Sequence, residues 1–222
     1  SSVEGLFDSI LSAILDVTKG DRAAILMHID GDEEGSVNVV AVRTRSGSDA
    51  VGSMILSRTV VHDVLEKGIS TFSHDALADQ RYGAGESIVR QRIRSVMCAP
   101  MRTTEQILGV LYVDSQSAHE FSEAELELLA AIGNQSGIAL HRARLLAEVE
   151  KLFLDVMKAI AAIIDAKDGY THRHSERVAA FAVRLAQQLG LSEADRSVIE
   201  LSGLLHDVGK IGVPDAILNK PG

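Results

Sequence analysis

Over residues 3–18, apolar Leu6, Ile10, Ile14 and Val17, with Phe7, Leu11 and Leu15 beside them, recur at helical spacing. Lys19-Gly20 ends that run. Residues 22–29 (RAAILMHI) form a short apolar stretch of strand length. The polar turn 30–35 leads into residues 36–42, which read as the second strand of a hairpin. Residues 57–67 predict a short helix closed by Gly68, and 69–73 a further strand. Residues 74–92 are polar, hold Gly83 and Gly85, and read as a loop with a helical turn. Residues 95–101 (SVMCAPM) and 107–113 (ILGVLYV) predict two strands joined by the turn 103–106. Helix, hairpin, helix and more hairpins predict an α+β domain on an antiparallel sheet.

After Phe121 the pattern changes to continuous helix. Ser122 and Glu125 have capping-box spacing, in which each side chain satisfies the other's free backbone N–H. A 3-4 spacing then runs through Leu128, Ile132, Gln135, Ala139, Arg142, Leu146, Val149, Phe153, Val156, Ile160 and Ile163. This is the seam of a coiled coil or bundle, sustained for about five heptads. Residues 122–140 are expected to cover their own domain, and 141–166 to connect two copies as a dimer. Asp168-Gly169-Tyr170 breaks the helix. A helix over 174–189 stops at Gly190, Ser192 and Asp195 cap another over 193–206, and Asp215 starts the next. The reading is therefore residues 1–145, a connector 146–167, and the front of an all-helical domain at 168–222.

Composition narrows the function classes. The chain has 222 residues, 46% hydrophobic and 24% charged, enough for a core and inconsistent with global disorder. No apolar run is long enough to span a bilayer. One cysteine, Cys98, excludes a disulfide framework or a CxxC pair. A net charge of -9 and only 4% aromatics argue against nucleic-acid or anionic-membrane partners. A metal could still reverse the sign locally for an anionic substrate. Ser1-Ser2 reads as an internal cut, and Asn219-Lys220-Pro221-Gly222 as a turn leading onward. Both lead us to expect a piece of a longer, cytoplasmic protein.

The chemistry centres on His206-Asp207, which ends the apolar run 201–205 (LSGLL). Imidazole beside carboxylate suits first-row divalent metals, and buried polar groups must be paired or ligated. A metal there would generate a hydroxide nucleophile. Lys210 lies four residues on, where helical spacing would put it on the same face to neutralise a phosphoryl oxygen. His174 sits on a separate helix, with Arg177 following to orient the site. His172 reads as a solvated loop residue rather than a spare ligand.

These motifs, His174-Ser-Glu-Arg-Val178, His206-Asp-Val-Gly-Lys210-Ile-Gly-Val-Pro-Asp215 and Ile217-Leu-Asn-Lys-Pro-Gly222, resemble the HD-GYP family over about residues 155–222. The family comprises bacterial phosphodiesterases that hydrolyse cyclic di-GMP to linear pGpG or GMP. The resemblance implies His174, His206 and Asp207 as metal ligands and Lys210 against the scissile phosphate, with Asp207 and Lys210 the catalytic pair. It also implies a centre of two or three metals, often Fe or Mn, whose bridging hydroxide attacks phosphorus in line. Tyr170 stands where three-metal members carry Glu, which points to a bimetallic site. The family's later ligands and its GYP loop lie beyond residue 222, so this chain alone is expected to be inactive.

The front of the chain resembles a GAF domain. The likeness rests on residues 11–27 (LSAILDVTKGDRAAILM), 94–101 (RSVMCAPM), 107–114 (ILGVLYVD), and Phe121-Ser122 with Glu125 running to Asn134-Gln135. It implies a sensor or dimerisation unit whose ligand, if any, is unknown. The family geometry would put a pocket between the sheet and residues 69–95, an expectation that fails if that region is solidly packed. Cys98 reads as a buried structural thiol. His28, His62, His74, His119 and His141 show no ligand pairing, and Arg90, Arg92 and Arg94 read as a solvated basic edge rather than an anion pocket. Together these readings give a GAF sensor regulating a cyclic di-GMP phosphodiesterase through a homodimeric helix 122–166. The alternative is a non-catalytic sensor and dimerisation module with a degenerate or scaffold HD domain. A third reading, an HD hydrolase acting on a nucleoside triphosphate or alarmone, is disfavoured by the KIGxPDxxLxKPG text.

Overall fold

A computed structural model of the chain describes residues 3–28, 37–46, 56–82, 89, 92–118, 121–167 and 173–218. The hairpin turn 30–35, Gly83, Gly85, Arg90, His119, the helix break 168–170, His172 and the terminal 219–222 lie outside them. The chain divides into two compact units, Ser1–Arg144 and Leu145–Gly222. Among the described residues, no helix is long and apolar enough to cross a membrane.

The first unit is built on five strands: β1 (Arg22–His28), β2 (Val37–Thr44), β3 (Thr71–Ser73), β4 (Ser95–Arg102) and β5 (Ile107–Ser115). They form one antiparallel sheet in the order β2-β1-β5-β4-β3. Its core lies on both faces. On one, α1 (Val3–Val17) brings Leu11 and Ile14, and the start of α3 (Glu123–Lys167) brings Leu129 and Leu140, onto Ile25, Met97 and Leu111. On the other, α2 (Arg58–Lys67) lays Val60, Val61 and Val64 over Leu26, Cys98 and Tyr112. Two-sided burial explains why β1, β4 and β5 read as unbroken apolar runs rather than alternating ones. The capping box forms as its spacing predicts: Glu125 N–H donates to Ser122 Oγ at 3.3 Å, and Ser122 N–H to Glu125 Oε2 at 2.9 Å.

Where the segment 69–95 is described, the position of the expected pocket holds packed side chains. Ala76, Tyr82 and Ile93 are buried against Val96, Cys98 and Tyr112. An open groove of about 560 Å³ lies instead along the β3 edge, lined by Ser70–Asp75, Ala78, Asp79, Arg81 and Leu126. The loop is closed by ion pairs, Arg94 to Asp75 at 2.5 Å and Arg81 to Asp79 at 2.8 Å.

The second unit contains the end of α3, then α4 (His174–Gln188), α5 (Glu193–Leu205), a 3₁₀ turn (Val208–Gly212) and α6 (Asp215–Leu218). Ser192 caps α5 by accepting from the Asp195 N–H at 3.1 Å. The packed centre is small: Ala161, Ala179 and Leu204, with Met157 against them. Helices α4 and α5 approach closely because position 203 is Gly. A Cβ there would lie 2.7 Å from Ala179 Cα. Phe181, Leu185 and Leu189, at i, i+4 and i+8 of one helix face, are all more than 60% exposed.

Candidate metal centre

His174 opens α4. Its helix start lacks a side-chain cap of its own, since Arg173 adopts a left-handed backbone (φ 55) and turns its guanidinium to Glu176. The cap comes from α3. The buried Asp165 carboxylate accepts from the Ser175 N–H at 3.1 Å and the Ser175 hydroxyl at 2.8 Å. At the far end of α5, His206 Nδ1 lies 2.8 Å from the Gly203 carbonyl. A carbonyl only accepts, so this contact uses a proton on Nδ1 and leaves Nε2 facing Asp207. This is the outer contact that fixes a ligating imidazole.

Nε2 of His206 lies 3.3 Å from Asp207 Oδ2, and the His174 and His206 rings sit 5.3 Å apart, tilted by 57°. One potential ligand atom from each of His174, His206 and Asp207 falls within 4.8 Å of the others. Among the described residues, this is the one group of three or more His, Cys, Asp or Glu side chains so arranged. Lys210 Nζ donates to Asp207 Oδ2 at 2.8 Å. That ammonium holds the Asp207 carboxyl below the usual carboxylate range, against an opposing effect of partial burial, with both histidines adding to the lowering. Asp207 is thus a carboxylate at neutral pH. Two imidazole nitrogens and one carboxylate oxygen, partly open to solvent, fit a borderline first-row divalent ion with coordination positions to spare.

The four residues singled out from sequence are therefore together. The route for Lys210 differs from the expected one. The helix ends at Leu205, and Lys210 reaches Asp207 from a 3₁₀ turn at i, i+3 rather than sharing a helical face with His206. Arg177 lies exposed one turn beyond His174. Arg94 is taken up by Asp75, at 3.1 Å and 2.5 Å. Cys98 is fully buried on β4, and burial pushes its thiol up and out of reach of ionisation. Sequence reasoning missed Asp165 and Lys167, which it absorbed into the connector. Two charged residues closing an otherwise apolar helical stretch were the only local signal.

Comparison with known proteins places both halves. The GAF domain family matches residues 2–140. The chain belongs to the GAF domain family. Behind that GAF domain, the HD domain family matches residues 171–222, the stretch that holds His174, His206, Asp207 and Lys210. The chain is 51% identical over 67 residues to the 3'3'-cGAMP-specific phosphodiesterase 3 of Vibrio cholerae, covering 30% of the chain and 15% of that protein. It is 41% identical over 75 residues to the cyclic di-GMP phosphodiesterase of Thermotoga maritima, covering 34% and 20%. A third relative, the 3'3'-cGAMP-specific phosphodiesterase 2 of Vibrio cholerae, is 34% identical over 114 residues, covering 51% and 22%. The chain thus spans less than a quarter of the length of these relatives.

Two solved structures show the GAF fold. GAF3 of Slr1393 from Synechocystis sp. PCC6803 gives a TM-score of 0.57 at 18% identity, covering 67% of this chain and 99% of that one. The GAF domain of a Bacillus halodurans sensor histidine kinase gives 0.51 at 14% identity, covering 66% and 98%.

Proposed function

We propose that the protein containing this chain is a metal-dependent phosphodiesterase of the HD-GYP type, acting on cyclic di-GMP under the control of its GAF domain. The observation that carries this reading is the convergence of His174, His206 and Asp207 within 4.8 Å, with Lys210 on the carboxylate. A pair of divalent ions, Fe or Mn, would supply Lewis acidity and a hydroxide nucleophile. The protein's part is to hold and orient. His206 presents Nε2 because Gly203 fixes its tautomer. Lys210 lowers the Asp207 carboxyl further below its ordinary range and compensates its charge. With the carboxylate holding a metal, the Lys210 ammonium would stand to meet a non-bridging phosphate oxygen, where charge grows in the transition state.

GAF control would run through a homodimer joined along residues 122–166. Supporting this, Leu146, Val149, Phe153, Val156 and Ile163 of the seam are each at least 46% exposed in the chain by itself. Three ligands leave the centre incomplete, so the 222-residue chain alone is expected to be inactive. The 51% identity to a 3'3'-cGAMP-specific enzyme favours a second substrate reading within the same chemistry.

The test is anaerobic turnover, with Mn(II) or Fe(II), by this chain and by one continued along its own gene. Each is given cyclic di-GMP and 3'3'-cGAMP. Hydrolysis of cyclic di-GMP by the longer chain alone is the expected result. Preference for cGAMP would move the substrate. Neither turned over, with metal bound, would leave a non-catalytic sensor and dimerisation module.

A further inference from the structure

We propose that the last turn of α3 is a two-pronged positioning device that sets the spacing of the metal ligands. This rests on the metal-centre reading above. Lys167, the final residue of α3, turns its ammonium into the 3₁₀ turn that follows Asp207. It donates to the carbonyls of Lys210 at 3.2 Å, Ile211 at 3.0 Å and Val213 at 2.7 Å. An ammonium has three donors, and all three are used. Asp215 adds a carboxylate oxygen at 3.6 Å. Two residues earlier, the buried Asp165 grips the other ligand-bearing element, taking both the N–H and the hydroxyl of Ser175, next to His174.

The geometry divides the work. Positions two apart on a helix point about 200° away from each other. One helix end can therefore hold α4 with one side chain and the 3₁₀ turn with the other. What it holds is specific: the residue after His174, and the backbone of Lys210 itself. The Lys210 carbonyl also accepts from the Val213 N–H at 3.1 Å, and the ammonium gathers that carbonyl together with those of Ile211 and Val213 at the end of the 3₁₀ turn. A step of one residue along α3 is about 1.5 Å. Both contacts are direct hydrogen bonds, so a shift of that size would break them and change the His174 to Asp207 spacing. Lys167 and Asp165 touch neither metal nor substrate. They act through His174, Asp207 and Lys210.

The experiment uses the 222-residue chain and three variants, Lys167→Met, Lys167→Arg and Asp165→Asn, with His206→Ala as the control on the metal reading. Two quantities are measured: amide hydrogen exchange without metal, and Mn(II) affinity from the electron paramagnetic resonance signal of the free ion. In Lys167→Met, the Lys210 and Val213 amides should exchange about tenfold faster, with the first turn of α4 unchanged. In Asp165→Asn the pattern should reverse, with the Arg177 amide accelerated. Each variant should weaken Mn(II) binding by at least about tenfold, the range for outer contacts of metal ligands, and Lys167→Arg should recover part of it. Unchanged exchange in both variants, or uniform acceleration across the unit in either, overturns the positioning role. Mn(II) binding that is absent in the parent chain, or equal in His206→Ala, overturns the metal reading instead, while the exchange pattern still decides the positioning one.

Discussion

Single side chains decide whether a charged group is an asset or a cost. The Lys210 ammonium, 2.8 Å away, lowers the Asp207 carboxyl further below its ordinary range, and the Gly203 carbonyl, accepting from His206 Nδ1, leaves Nε2 as the ring atom to meet a metal. Asp79 shows the same physics away from the metal centre. Hydrogen bonds from Arg81, first its guanidinium and then its backbone N–H, and from the Ser73 hydroxyl outweigh burial. They lower its pKa from 3.8 to about 2. A carboxyl whose folded value is depressed stabilises the fold above its unfolded value, and that contribution is lost as pH falls towards the folded one. Urea midpoints of the parent chain and Asp79→Asn should therefore differ by a constant amount near neutrality. The gap should narrow below about pH 4 and close towards pH 2. A gap that widens on acidification would refute the assignment.

At the scale of elements, much was legible and the failures have causes. The short apolar runs at β1, β4 and β5 were bounded by turn residues, and their lengths favoured strands over helices. The capping box at Ser122 and Glu125 is a purely local device, so local text reveals it. The strand order β2-β1-β5-β4-β3 is not local, and no pattern in the chain states it. The same limit hid Asp165 and Lys167, whose partners lie 10 and 43 to 46 residues away. Lys210 meets Asp207 from the 3₁₀ turn and not from a shared helical face, because periodicity cannot announce the switch from α-helix to 3₁₀ turn after Leu205. Close packing was equally silent. At Gly137 in α3, a Cβ would stand 2.5 Å from the Arg102 carbonyl oxygen and 2.6 Å from its nitrogen. Helix propensity alone favours Ala over Gly by about 1 kcal/mol. Collision with strand backbone, which cannot swing aside, costs about 1–3 kcal/mol. Gly137→Ala should therefore lower the stability of the GAF unit in a urea titration, and a rise would show that α3 sits further from β4.

At the scale of the whole molecule, the two units share one helix, and the claims about regulation depend on what that helix does. Its seam positions 146, 149, 153, 156 and 163 carry large apolar side chains that the chain itself leaves exposed. A second copy would bury them in heptad register. Val149→Glu puts paired like charges into that seam. The parent chain should sediment as a dimer and the variant as a monomer at the same concentration. A monomeric parent would show that the helix does not connect two copies. GAF membership and the HD likeness were readable from motifs, but the substrate was not, since relatives of both cyclic dinucleotide specificities match the chain.

On the proposed function, His174, His206 and Asp207 hold the metal that cleaves a cyclic dinucleotide. Its most direct test is cyclic di-GMP hydrolysis by the longer gene product, loaded anaerobically with Mn(II) or Fe(II), beside its Asp207→Ala variant with metal content assayed in both. The parent should turn the substrate over, and the variant should lose metal and activity together. Undiminished turnover by Asp207→Ala would contradict it.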